Sequence, residues 1–431
     1  MDKAIFYHLG GSSSLDYCLY LFILDKMPKL CYNWLLNIVF SHFMRIAMIG
    51  QKGVPAIYGG IERHVEELSV ELVKQGHDVL VYARSWFTNK NIKNYQGIKI
   101  KHTPTLRTKH LDAIVHTFTS TIHALLFQKP DIIHYHGVGP ALLSWIPRVF
   151  SPKTKVVVTM HCLDRYHQKW GFFARFMLRM GEWAGCAFAH QVISVSKTIQ
   201  NYCLNEYQKP TTYIANGVKA SEHQNYSLID EWDLKPKKYL LMVSRLVKHK
   251  GAHYLLEAWQ IARQQNPELL KDYKLAIVGD AVFTDSYVSE LHQIARGDNS
   301  IVFTGWQKGQ ELAELYANTT LLVHPSENEG LPITVLQAMS YAKPVLVSDI
   351  PEHREVINNP EFWFHNADTY SLAQKIAELV QKPELLKSNG EINKMLAEKN
   401  YNWKDIAKQT TKLYSSATKI NSLKKLRPVK A

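Results

Sequence analysis

The sequence predicts an α/β protein made of two doubly wound, Rossmann-like domains. Its 431 residues exceed what a single ordinary core organises. Two separate series of short β-branched runs alternate with longer amphipathic stretches, the pattern of mainly parallel sheets covered by helices. Between the series, KASEHQNYSLIDEWDLKPKK (219–238) loses apolar periodicity and gains charge, as an interdomain connection does.

In chain order, residues 1–43 form an N-terminal extension of doubtful status. LDYCLYLFILDKMPKLCYNWLLNIVF is apolar, but Asp25, Lys26 and Lys29 interrupt it short of the ~20 uncharged residues of a membrane span. It also lacks a signal peptide's basic start, apolar centre and small-residue cleavage site in that order. MRIAMIG, by contrast, reads as a complete first strand with its own Met44. Translation is therefore expected to start there; the alternative is an amphipathic segment lying on a membrane.

The first domain (44–218) offers strands at 45–50, 78–83, 98–103, 131–136, 155–161 and 191–196. The second (219–400) offers 239–245, 273–280, 300–305, 320–326 and 344–349. A last helix within 401–418 carries Trp403, Ile406, Leu413 and Tyr414 at helical spacing, and the basic tail 419–431 is expected to fray. KWGFFARFMLRMGEWAGCAF (169–188) mixes aromatics with Lys and Arg. It reads first as a helix packed on the sheet and second as a membrane-facing patch.

The formal net charge of +13 suits phosphates, nucleic acid or an anionic membrane, and equally a merely soluble basic surface. Nucleic acid is disfavoured because no binding module or aromatic interleaving is readable. Cys18, Cys31, Cys162, Cys186 and Cys203 are scattered and form no CxxC pair. That argues for a reducing compartment and against a disulfide frame or structural zinc.

Open α/β sheets bind ligands beyond the carboxyl ends of their strands. IGQKGVPAIYGGIERHVEEL places Gly50, Gly53, Gly59 and Gly60 between the first strand and a helix. Backbone amides and a helix dipole suit an oxyanion there, although loop glycines are also plain turn formers. The spacing is not GxGxxG, and Arg84 stands where a ribose-binding acid would end the second strand, which disfavours NAD.

In VSRLVKHKG, Arg245 and Lys250 set two cations at the ligand edge of the second sheet. They can neutralise a diphosphate, one as a forked donor and one as a point charge, or else be two solvated surface cations. In ENEGLPITVLQ, Pro332 suits a first helical position, leaving the amides near Leu331 and Ile333 for a phosphate. Glu329 and Gln337 flank that turn, ~12 Å apart if the path between them is helical. His134 and His136 share one strand face; no third metal ligand is marked, so no metal is expected. His134 suits a satisfied core position, His136 is the functional candidate, and His161 is placed on the acceptor side.

The ordered set GQKGVPAIYGGIE, DIIHYH, TMHCLDRYHQKWG, ISVS, IANGV, SRLVKHKG, IVGDA and ENEGLPITVLQ resembles glycosyltransferase family 4 (group 1). These are the retaining nucleotide-sugar enzymes of the GT-B fold, two Rossmann-like domains facing a central cleft. Within them it is similar to bacterial rhamnosyl- and hexosyltransferases of polysaccharide biosynthesis, from Met44 to about Tyr414. The resemblance implies that Arg245 and Lys250 hold the donor diphosphate and that Gly59 and Gly60 close over it from the other domain. Glu329 matches the first acid of the family's E-x7-E motif, holding the sugar hydroxyls with the amides of Gly330 and Leu331 beside it. His136 matches the sugar-side histidine, and the last helix the one that braces the first domain.

Gln337 departs from the pattern, standing where the second Glu binds the ribose. An amide oxygen accepts more weakly than a carboxylate, so weaker donor binding is expected rather than lost chemistry. The resemblance further implies a metal-independent reaction with no cofactor, since cations and helix dipoles can stabilise the departing nucleotide. The implied partners are a nucleotide-sugar donor and a saccharide acceptor, expected to be lipid-linked. The implied location is cytoplasmic, with the basic surplus suiting a peripheral position on the anionic inner leaflet. The competing reading is a non-catalytic nucleotide-sugar-binding scaffold, supported by Gln337 and the unusual N-terminus.

Overall fold

A computed structural model describes residues 43–108, 111–163, 165, 171–219, 223, 225–281 and 284–424. The expectations for residues 1–42, and for the tail beyond 424, lie outside the described residues. Two sheets carry the chain. The first is ordered β3-β4-β2-β1-β5-β6-β7-β8, from β1 (Arg45–Ile49), β2 (Asp78–Ala83), β3 (Asn94–Tyr95), β4 (Ile98–His102), β5 (Ile132–His136), β6 (Lys155–Met160), β7 (Gln191–Ser194) and β8 (Thr212–Tyr213). The second is ordered β11-β10-β9-β12-β13-β14, from β9 (Tyr239–Val243), β10 (Lys274–Val278), β11 (Ile301–Gly305), β12 (Leu321–His324), β13 (Val345–Ser348) and β14 (Trp363–Phe364). Among the described residues, every pairing is parallel except β3 with β4.

Helices cover both faces of parallel sheets, so central strands read as unbroken apolar runs. Val156, Val157 and Val158 of β6 are all fully buried, as are Leu240, Leu241 and Met242 of β9. In the first domain the main helices are α1 (Gly60–Lys74), α2 (Asp112–His123), α3 (Trp145–Phe150), α4 (Phe172–Phe188) and α5 (Lys197–Tyr207). In the second they are α6 (Ala252–Gln265), α7 (Asp285–Ile294), α8 (Gly309–Asn318), α9 (Ile333–Ser340), α10 (Pro351–Val356), α11 (Thr369–Val380) and α12 (Pro383–Asn400). All eleven expected strands form; β3, β8 and β14, two residues each, are additional. Several ladders stop short of the predicted ends, which puts His161 and Arg245 in loops beyond their strands.

The last helix, α13 (Trp403–Lys424), runs six residues past the predicted 418. It lies on the first domain: Trp403, Ile406, Ala407, Leu413 and Tyr414 join a core with Met44, Ile46, Met48, Val65 and Leu68. The Val218 amide donates to the Tyr401 carbonyl at 2.7 Å, so the chain leaves and re-enters this domain at one point.

His134 is a satisfied core residue, with Nδ1 2.7 Å from the Tyr414 hydroxyl and Nε2 2.7 Å from Thr159 Oγ1. Tyr414→Phe is expected to leave that buried nitrogen unpaired and to cost about 1–3 kcal/mol, read as a lower urea midpoint.

Candidate active site

Strand order reverses once in each sheet, between β1 and β5 and between β9 and β12. At such a switch point the loops leaving neighbouring carboxyl ends part to opposite faces and open a crevice. The loops after β1, β9 and β12 carry Gly59, Arg245, Lys250, Glu329, Gly330 and Leu331, while Gly60 opens α1, His136 ends β5, His161 follows β6 and Gln337 lies within α9. Topology, not chain proximity, gathers them.

On the first domain's side, Gly59 caps α1 with φ 102°, a left-handed conformation that favours glycine. A side chain at Gly60 would stand 3.7 Å from Ile333 Cδ1, so the N-termini of α1 and α9 face each other. Lys52 lies beside the first turn of α1, its ammonium 4.6 Å from the Tyr58 ring centre and 3.9 Å from Glu62. Burial pushes Lys52 below its ordinary value; Glu62 opposes that, while Arg245 and Arg84 push further down. Arg245 therefore acts on Lys52 across the cleft. Among the described residues no carboxylate pairs with the Arg245 guanidinium. Arg84 has another duty: 2.6 Å from Asp112, which also takes the Trp86 indole N–H at 3.2 Å, it braces the loop from within.

On the second domain's side, the Lys250 ammonium and the Glu329 carboxylate form a buried ion pair. His324 Nε2 lies 2.7 Å from the same carboxylate oxygen. Burial alone would raise the Glu329 carboxyl, but the Lys250 charge and the His324 hydrogen bond outweigh it and hold Glu329 well below the usual carboxylate range. The sequence reading gave Lys250 and Glu329 separate duties; the fold joins them in one unit.

Two other expectations are corrected here. Pro332 is the residue before α9, with φ −73° and ψ 111°, because helical geometry begins at Ile333. The path from Glu329 to Gln337 is thus only partly helical. The Gln337 side-chain oxygen accepts from the Tyr316 hydroxyl at 3.3 Å.

Gly330 and Leu331 meet the other domain. A side chain at Gly330 would overlap the His161 carbonyl oxygen, and the Leu331 carbonyl accepts from Asn216 Nδ2 at 2.8 Å. Asn216 then offers its oxygen to His64 Nδ1 at 2.9 Å, so that nitrogen carries the proton and buried Nε2 keeps an unpartnered lone pair. His136 Nδ1 lies 3.1 Å from His161 Nε2, with the His64 ring packed 4.7 Å from that of His161. The fold thus brings two further nitrogens to His136, where the sequence marked none. His64, His136 and His161 each offer a nitrogen within 4.8 Å of the others, and His324, Glu329 and His353 form a second such group. These are the groups among the described residues with ion-binding spacing; the second already holds the Lys250 ammonium.

Burial pushes His64 from its ordinary 6.5 to about 4, against the Asn216 hydrogen bond. The unfolded chain therefore takes up this proton first. The stability tied to neutral His64 is whole above pH 6.5 and lost as pH falls from 6.5 toward 4. At about 1.4 kcal/mol per pH unit it is on the order of 3 kcal/mol. Urea midpoints at pH 7, 5.5 and 4.5 are expected to fall in that order, and less steeply for His64→Gln.

Three residues that the sequence did not flag complete the closed arrangement. The Glu355 carboxylate accepts from the Lys197 and Thr198 amides at 2.8 and 2.7 Å and from Thr198 Oγ1 at 2.6 Å, tying α10 to the start of α5. Tyr58 meets Trp306 edge-on at 5.9 Å across the cleft.

Residues 58–222 match the family model described as Glycosyltransferase Family 4, and residues 228–403 the model described as Glycosyl transferases group 1. An uncharacterized glycosyltransferase of Methanocaldococcus jannaschii is 25% identical over 406 residues, covering 87% of this chain and 98% of its own. The alpha-monoglucosyldiacylglycerol synthase of Streptococcus pneumoniae is 24% identical over 364 residues, covering 79% and 80%. The crystal structure of Anabaena HepE in complex with UDP-glucose superposes with a TM-score of 0.71 at 21% identity, over 86% of this chain and 100% of that one. The fold of two facing parallel-sheet domains is GT-B.

Proposed function

We propose, for a chain that belongs to the group 1 glycosyltransferases as this one does, that the cleft binds a nucleoside diphosphate sugar and passes the sugar to a saccharide acceptor. The transfer retains configuration at the anomeric carbon, and the acceptor is lipid-linked, in cell-surface polysaccharide biosynthesis. The observation that carries the reading is the facing N-termini of α1 and α9, with Lys52 beside the first and, in the loop after β9, Arg245, which no carboxylate among the described residues pairs. A pyrophosphate is a compact ligand that meets guanidinium, ammonium and free amides at once. HepE with UDP-glucose supports the donor class, and the glycolipid synthase of Streptococcus pneumoniae supports the lipid-borne acceptor.

In this mechanism Arg245 and the amides around Leu331 hold the diphosphate, with Lys250 between it and Glu329. As the bond from anomeric carbon to phosphate oxygen breaks, its electron pair goes to the phosphate, where these groups stabilise the growing charge. Glu329, kept ionised, accepts from the sugar hydroxyls. His136, backed by His161, borders the sugar. The acceptor hydroxyl attacks on the face the phosphate leaves and gives its proton to that phosphate. The scheme needs no metal or cofactor, so turnover is expected to survive EDTA.

A thermal-shift screen across UDP-, GDP- and dTDP-sugars, followed by NMR of the product's anomeric configuration, tests the reading. A donor that raises the melting temperature but is never transferred would favour a non-catalytic binder, and an inverted product would sink the retaining mechanism. Gln337→Glu is expected to lower the donor KM several-fold with kcat unchanged, because a carboxylate accepts a ribose hydroxyl more strongly. An unmoved KM would mean that this side chain does not touch the ribose.

A further inference from the structure

α2, α3 and α4 link strands that progress in one direction, so right-handed crossovers place them on one face of the first sheet. α4 packs most closely through its second half: a side chain at Gly181 would overlap the Val138 carbonyl, and Gly185 abuts Ala141. Its first half touches the core through Leu178 and turns its aromatic rings outward. Phe172 is 90% exposed and Phe173 74%, with Phe176 and Trp183 also exposed. On neighbouring α3, Trp145 and Phe150 are exposed as well. Side chains of this kind are ordinarily covered, and so many on one face mark an interaction surface.

Among the described residues, the exposed charges on α3 and α4 are positive. Arg148, Lys153, Arg175 and Arg179 are exposed. Among the described residues from 112 to 188 there are three carboxylates. Asp112 is held by Arg84, Glu182 is 1% exposed and taken by two tyrosine hydroxyls, and Asp131 pairs with Arg45 at 3.7 Å. Aromatic rings flanked by exposed guanidinium groups fit the boundary between anionic headgroups and acyl chains. Among the described residues no helix is long and apolar enough to cross a membrane, so the contact would lie on the surface.

We infer that the outward face of α3 and α4 docks on an anionic lipid bilayer. α4 follows β6, so it starts from the carboxyl edge of the first sheet, the edge that borders the cleft, and docking holds the first domain's side of the cleft at the membrane. This deepens the lipid-linked acceptor reading and rests on it only for its purpose, since binding needs no donor, acceptor or turnover. Full-length protein is sedimented with vesicles of phosphatidylcholine alone and with 30 mol% phosphatidylglycerol, a composition set on the order of a natural anionic leaflet. Wild type is expected in the anionic pellet. F172S/F173S/F176S should lower the partition at least tenfold with an unchanged melting temperature, because the replaced rings are exposed. R175E/R179E should abolish the preference for phosphatidylglycerol. Residues 1–42 are common to all variants, so the difference reports this face.

The inference is overturned if wild type ignores both vesicles, or if the triple variant binds as well as wild type. It is also overturned if light scattering shows a dimer that the triple substitution splits while vesicle binding is absent, which would make the face a contact between copies. Failure of transfer with intact vesicle binding would count against the proposed chemistry and leave the docking face standing.

Discussion

Lys250→Ala is expected to lower kcat by about 10²–10³-fold, the usual loss on removing one preorganised stabiliser of a developing oxyanion. The substitution does two things at once. It takes a positive charge from the groove where the pyrophosphate is proposed to lie, and it leaves Glu329 buried with His324 as its remaining partner. Breaking one side of a buried ion pair costs up to about 3–5 kcal/mol, because the surviving charge stays desolvated. The melting temperature should therefore fall along with the rate, and the Glu329 carboxyl should rise toward the ordinary range once the Lys250 charge that holds it down is gone. Lys250→Arg restores charge but replaces a compact ammonium with a planar fork, so it should recover stability better than turnover. A kcat within tenfold of wild type for Lys250→Ala would remove Lys250 from the chemistry.

Gly330→Ala is expected to cut kcat/KM by about 10²-fold or more while both domains stay folded. The added methyl would overlap the His161 carbonyl oxygen, a backbone atom of the other domain that cannot rotate away. The domains must then part or the α9 loop must shift, and displacements near 1 Å cost about that much when reacting groups are held by position. The far-ultraviolet dichroism should be unchanged, and small-angle scattering should report a larger radius. Normal activity in this variant would mean that catalysis does not use the closed arrangement.

The strands were legible because burial on both faces leaves unbroken apolar runs, as in KVVVTM and YLLMV. Arg245 and Lys250 were legible as cations out of place after an apolar strand, and Glu329 through its motif. Lys52, His64 and Glu355 were not, because each acquires its meaning from a residue far along the chain. His64 meets Asn216 across 152 positions, and Glu355 meets Lys197 across 158. Nothing local in ERHVEEL or HREV signals those meetings. The two-residue strands fail for a different reason, being too short to hold a period. In α4 the aromatics were visible, but which of them the sheet would cover depends on how α3 and the segment near Val138 pack beneath it.

The helix that closes the chain fills the core of the domain that opens it. During synthesis the first eight strands emerge with the place of Trp403, Ile406, Leu413 and Tyr414 still empty. Most of the polypeptide must leave the ribosome before that apolar groove can be sealed. The earlier-made domain is thus the later one to mature.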